Sequence, residues 1–212
     1  MNKTIKNIIK PFVPQMVLNE LKRQFEKKQF NDWQKSGCPV PPPHLVKQLA
    51  IGEYQQKYGY EILVETGTYL GQMVEAQKTR FKKIFSIELG ADLFEKARKK
   101  FKDDSHIILV QGDSGKMLPK ILGDIHEPAI FWLDGHYSEG ITAKGDKECP
   151  IFEEVDAILN DQLFNHILLI DDARCFNGKG DYPTIEKLTE YIRGKNEKYH
   201  VEIKNDIIRY VI

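Results

Sequence analysis

The sequence predicts an α/β fold: a doubly wound, mostly parallel sheet of seven strands that ends in an antiparallel C-terminal hairpin and is preceded by N-terminal helices. Three observations carry this. Short, near-continuous apolar runs alternate with helical patterns from residue 62 to residue 193, as parallel strands do when helices cover both faces of a sheet. Two further strand-like runs, 199–204 and 207–212, are separated only by Asn205-Asp206. That link is too short for a parallel crossover, so the two must pair antiparallel. Over 212 residues, 41% are hydrophobic and 29% charged, a balance that supports one full core.

The chain divides in texture at residue 42. Up to Lys28 it holds Lys3, Lys6, Lys10, Lys22, Arg23, Lys27 and Lys28 against only Glu20 and Glu26. Pro14 suits a helix start, and Val17, Leu21 and Phe25 recur at four-residue spacing along one face. A helix packed on the main domain or on a second copy in a homodimer accounts for this pattern. So does weak peripheral contact with an anionic membrane surface, for which retention of the full chain, but not of one starting near residue 40, on anionic vesicles is the test. Cys38 and the prolines up to Pro43 form a stiff connector. Residues 43–212 make the main domain. It opens with a helix over 44–58, then strand one at 62–65 and a helix over about 70–80. Strand two spans 84–88 with a helix over 91–101, and strand three 106–110 with a helix from Ser114 to Leu122. Strand four at 129–134 precedes a helix over 151–159, and strand five at 167–171 precedes one over 184–193.

Composition excludes several function classes. The formal net charge is zero, so the overall balance attracts no polyanion and nucleic acid is not the expected partner. No apolar run reaches the roughly 18–20 residues of a membrane span. The first residues lack the apolar core and cleavage site of a secretory signal. Cys38, Cys149 and Cys175 have no metal-type spacing and read as free thiols in a cytoplasmic setting.

Ligands of open parallel sheets bind beyond the carboxyl ends of the strands. There the chain places Glu65 after strand one, Glu88 after strand two, Asp113 after strand three, Asp134 after strand four and the Asp171-Asp172 pair after strand five. Like charges on one rim repel unless cationic or hydrogen-bonding groups sit among them. Gly67 and Gly71 stand on the strand-to-helix turn, where glycine permits close approach of a ligand to backbone N–H groups. Glu88 follows Gly67 by about 20 residues, the offset at which an acid accepts ribose hydroxyls in Rossmann-like folds. Asp113, one strand over, is placed to accept from an adenine amino group. Asp134, Asp171 and Asp172 end adjacent strands about 4.8 Å apart, an oxygen-only set suited to Mg²⁺ or a similar divalent cation. His136 lies two residues beyond Asp134, within reach of a substrate hydroxyl proton.

Taken together, Glu65-Thr66-Gly67-Thr68-Tyr69-Leu70-Gly71, Ser86-Ile87-Glu88, Gly112-Asp113-Ser114, Leu133-Asp134-Gly135-His136 and Ile170-Asp171-Asp172 resemble the class I S-adenosylmethionine-dependent methyltransferases. Among these the chain is most similar to metal-dependent O-methyltransferases of the macrocin O-methyltransferase type, which act on sugar hydroxyls. The resemblance spans about residues 45–212 and includes the C-terminal hairpin. It implies that Glu65 and Gly67 line the methionine portion of S-adenosylmethionine, that Glu88 holds the ribose and Asp113 the adenine. Thr66, Thr68, Tyr69, Gly71, Ser114 and Asp134 join the implied cofactor contacts, and Asp134, Asp171 and Asp172 are the implied metal ligands. The chain departs from the family where macrocin-type enzymes carry Asp-Gly-Asp, since it has Asp134-Gly135-His136, and where they continue Tyr-Glu-Ser-Thr, since it has Tyr137-Ser138-Glu139-Gly140.

The expected activity is S-adenosylmethionine- and Mg²⁺-dependent O-methylation of a small-molecule or sugar acceptor, the ion on Asp134, Asp171 and Asp172 lowering the hydroxyl pKa, with Asp134 and His136 as the catalytic pair. Loops 137–149 and 173–182 are long enough to cover the acceptor, and Arg174 and Lys179 stand in the second. A nicotinamide-dependent oxidoreductase is the main rival, although Tyr69 stands where the dinucleotide fingerprint has glycine. A nucleic-acid methyltransferase would end strand four in a proline-aromatic motif, absent here. A domain that binds the cofactor without catalysis is the third alternative.

Overall fold

A computed structural model describes residues 15–135, 149–160 and 163–212. It separates into two compact units, Met1–Lys47 and Gln48–Ile212.

In the first unit, α1 (Gln15–Lys35) carries Val17, Leu21 and Phe25 as exposed apolar side chains. Its C-terminal end is tied down by Trp33, whose indole N–H donates to the Pro39 carbonyl at 2.7 Å. The helix α2 (His44–Tyr58) straddles the boundary between the units.

The second unit is built on a seven-stranded sheet in the order β3-β2-β1-β4-β5-β7-β6. Its strands are β1 (Ile62–Thr66), β2 (Lys83–Glu88), β3 (Ile107–Gln111), β4 (Ala129–Leu133), β5 (Ile167–Ile170), β6 (His200–Lys204) and β7 (Ile207–Val211). The first five are parallel, while β7 runs antiparallel to both β5 and β6. The central strands β4 and β5 are apolar at every position because both faces are covered, and alternate residues serve opposite cores. Ile62 and Val64, with Phe131 and Leu133, face one layer that includes Leu118, Val155, Ile158, Leu188 and Ile192. These come from α5 (Ser114–Leu122), α6 (Ile151–Asn160) and α7 (Ile185–Lys195). Leu63, Ile130 and Trp132 face the other layer, with Ile51 and Tyr54 of α2. Met73 and Val74 of α3 (Gln72–Gln77) and Ala97 of α4 (Ala91–Lys100) complete that layer.

The hairpin forms as its turn residues dictate. Asn205 and Asp206 adopt φ of 54° and 63°, the left-handed pair of a type I′ turn, which Asn and Asp tolerate. One element is shorter than its pattern suggests. The helix expected over about 70–80 is only Gln72–Gln77. Gly71 delays its start in a left-handed conformation, and Arg80 N–H bonds back to the Gln77 carbonyl in a closing turn. Strands β4 and β5 end one residue before Asp134 and Asp171, but both acids extend the ladder: Asp134 N–H donates to the Thr66 carbonyl and Asp171 N–H to the Leu133 carbonyl.

Candidate functional site

Strand order reverses direction between β1 and β4, so the loops leaving them diverge and open a crevice at that edge. Gly67 sits at its base. Its φ is 86°, its N–H donates to the Ile87 carbonyl at 2.9 Å, and a Cβ there would lie 2.3 Å from the Asp134 carbonyl oxygen. Only glycine lets the two loops approach so closely. Thr66, fully buried beside it, accepts the Asp134 N–H on its hydroxyl at 3.1 Å.

Glu88 faces this turn rather than solvent. One carboxylate oxygen accepts the Tyr69 N–H at 2.7 Å and the other accepts the Gly90 N–H at 2.8 Å. Tyr69 presents its N–H because its backbone turns left-handed, φ 49°. Burial pushes the Glu88 carboxyl above the usual range, and the two N–H donors partly offset that. Each oxygen retains a lone pair for a ligand hydroxyl. Asp113 is carried to the same rim because Gly112 N–H bonds the Glu88 carbonyl at 2.9 Å. Asp113 is the N-cap residue of α5, yet its carboxylate makes no capping bond, which leaves it available to a ligand. Gly71 starts α3 against the Phe101 ring, 2.6 Å from where a Cβ would stand.

Glu65 is buried under the turn. Ser86 donates to its carboxylate at 2.5 Å, and the Thr68 hydroxyl lies 2.6 Å from Ser86 Oγ. Burial, partly offset by Ser86, and the charges of Asp134 and Glu88 push the Glu65 carboxyl up to about 8. Folded chain therefore holds a proton there that unfolded chain loses near pH 4.5. This stability is full below about pH 4.5 and is lost as pH rises towards 8. Relative to wild type, a Glu65→Gln chain should gain on the order of a few kcal/mol between pH 5 and 8. Urea midpoints across that range measure it, and parallel profiles would refute the protonated state.

Sequence reasoning passed over several participants. Ser86 reads as an ordinary strand residue, yet it links Glu65 to Thr68. Lys100, at the end of α4, donates to the Leu70 and Gly71 carbonyls and so closes the turn from outside. Glu154 of α6 is buried, and its Oε1 lies 2.8 Å from the place a Cβ on Gly135 would take. Thr66 Oγ1 and Ser114 Oγ converge on that same point, at 3.0 and 3.1 Å. A helix residue aimed into the crevice can be found in sequence only as an acid in the first turn of α6.

The proposed metal ligands are placed differently from the expectation. Among the described residues, no group of three or more His, Cys, Asp or Glu side chains has an arrangement able to hold a metal ion. Asp171 is fully buried, and its Oδ1 accepts the Asp172 N–H at 2.8 Å. Asp172 is left-handed, φ 54°, and its carboxylate turns to Arg174, whose Nη1 donates to Oδ1 at 2.8 Å. Asp134, Asp171 and Asp172 are thus neighbours in the fold but not a ready ligand set. His136, the expected base, and loop residues 137–148 lie outside the described residues.

Comparison with solved structures matches this architecture. The chain superposes on S-adenosylhomocysteine-bound methyltransferase PaMTH1 of Podospora anserina with a TM-score of 0.56 at 14% identity, over 100% of this chain and 96% of that one. It matches the O-methyltransferase TomG of Streptomyces achromogenes, solved with S-adenosylmethionine, at TM-score 0.55 and 12% identity over 88% of each chain. An O-methyltransferase of Bacillus cereus in complex with S-adenosylhomocysteine gives 0.52 and 13%, over 98% and 96%. The chain shares its fold with these methyltransferases. No protein-family model and no curated protein matches the chain.

Proposed function

We propose that the chain is an S-adenosylmethionine-dependent methyltransferase that methylates a hydroxyl of a small-molecule or sugar acceptor. The observation that carries this is Glu88. Its carboxylate is held at the crevice by Tyr69 N–H and Gly90 N–H, beside the uncommitted carboxylate of Asp113. That pair suits the hydroxyls of a ribose and the amino group of an adenine. Asp134 and Glu154 bring further carboxyl groups to the crevice, which suits a ligand bearing positive charge, while Glu65 beneath it keeps its proton up to about pH 8. S-adenosylmethionine, when bound, supplies a methyl group on a sulfonium that is already electrophilic.

The protein's part is to orient and to exclude water. The turn from Gly67 to Gly71 supplies close backbone, Glu88 and Asp113 set the register of the adenosine, and Thr66 fixes the backbone of Asp134. Glu65, Thr68, Tyr69 and Ser114 complete the proposed cofactor contacts. In this reading His136 takes the acceptor proton, and a His136→Asn chain with unchanged turnover would remove it from that role. No step runs through a divalent ion, because Asp172 is engaged by Arg174.

Ligand-dependent stabilisation tests the cofactor. S-adenosylhomocysteine at about 100 times its Kd should stabilise the chain by roughly 2.7 kcal/mol. For a domain of this size that raises Tm by about 5–10 °C. NAD should leave Tm unchanged. Stabilisation by NAD alone would favour the oxidoreductase, and no response to either would refute the adenosine site.

A further inference from the structure

The rim beyond β5 carries a cation of its own. Arg174 lies just past the end of β5, and its Nη1 bonds both Asp172 Oδ1, at 2.8 Å, and Asp206 Oδ2. Its backbone N–H also donates to Asp206 Oδ1 at 2.9 Å. Asp206 belongs to the β6–β7 turn, and its side chain is almost wholly buried, 2% exposed, against 15% for Asp172 and 37% for Arg174. The guanidinium therefore bridges an acid of the rim and an acid of the hairpin. Asp172 has a left-handed backbone, φ 54°, with its N–H on Asp171 Oδ1 and its carboxylate on Arg174.

We propose that Arg174, clamped between Asp172 and Asp206, is the resident cation of this rim and stands in place of a divalent metal. A metal ion reaching Asp172 Oδ1 must displace the guanidinium from it, so the ion competes with a cation that Asp206 holds in place through both its backbone N–H and its Nη1. That competition for the Asp172 carboxylate weakens metal affinity. Arg174 acts as a positioning residue. It holds Asp172 in one orientation through Nη1, and the guanidinium has further N–H donors that an acceptor oxygen or anion could use. The role in methyl transfer rests on the proposed function, but exclusion of metal does not.

Titration calorimetry of the full chain with Mn²⁺, and separately Mg²⁺, tests this without any turnover assay. Wild type should show no saturable binding, and its affinity for S-adenosylhomocysteine should be unchanged by EDTA. Arg174→Ala should gain Mn²⁺ affinity by at least tenfold, while Arg174→Lys, which keeps a cation, should not. A structural role alone would not create a metal site. Stoichiometric Mn²⁺ binding by wild type that Asp172→Asn abolishes would overturn the proposal, and this arm holds even if Arg174→Ala fails to fold. An Arg174→Ala chain that folds and gains no metal would overturn it as well. Loss of S-adenosylhomocysteine binding in wild type would instead count against the cofactor reading.

Discussion

Glu88→Ala should weaken binding of S-adenosylhomocysteine by roughly 10²–10⁴-fold while leaving the fold intact. The carboxylate has two tasks. It receives Tyr69 N–H and Gly90 N–H at 2.7 and 2.8 Å, charge-assisted bonds worth about 1.5–3 kcal/mol each. It is also the proposed acceptor for ribose hydroxyls. Truncation removes the ligand contact and releases the turn that carries Tyr69, so the two losses act on one binding site. Glu88→Gln should fall between, because one end of its amide can still accept an N–H and the other would face a donor. Calorimetric titration with circular dichroism as the fold control measures both. Binding within threefold of wild type in Glu88→Ala would remove the adenosine site from this rim.

Gly67→Ala is expected to be the most damaging single methyl in the second unit, at roughly 3–5 kcal/mol, with insoluble or largely unfolded protein as the practical outcome. Two costs combine. At φ 86° an L side chain is strained, and the added Cβ would stand 2.3 Å from the Asp134 carbonyl oxygen. That oxygen is backbone, on a residue whose N–H is tied to the Thr66 carbonyl and hydroxyl, and it has little room to swing aside. Gly59→Ala separates the two costs. Its φ is also positive, 70°, but nothing lies within 4 Å of the added carbon, so it should lose only about 1 kcal/mol. Urea midpoints compare them. Equal losses would show that the β1–β4 approach is not the constraint.

Much of this was legible before any coordinates. Strand runs such as 129–133 and 167–170 are apolar throughout because two helical layers need them so, and that pattern is local. Asn205-Asp206 announced the antiparallel hairpin through its length and its tolerance of left-handed backbone. Glu88 was legible through its offset from Gly67, and the structure places it against the turn that follows Gly67, through Tyr69 N–H. The α3 helix was overestimated, since the left-handed start at Gly71 cannot be told from an ordinary helical glycine in sequence.

What the sequence by itself determined is the order of elements, the two buried faces of the sheet and the row of acids at the strand ends, because each depends on residue period and turn chemistry within a few neighbours. What only the tertiary structure decided is how those acids are spent. Ser86 on Glu65, Tyr69 N–H on Glu88, Arg174 on Asp172 and Asp206, and Glu154 against Gly135 are meetings between distant segments. They follow from strand register, from helix packing and from the left-handed turns at Tyr69 and Asp172. A carboxylate's partner is chosen by a shift of an ångström or two, and residue period carries no information at that scale.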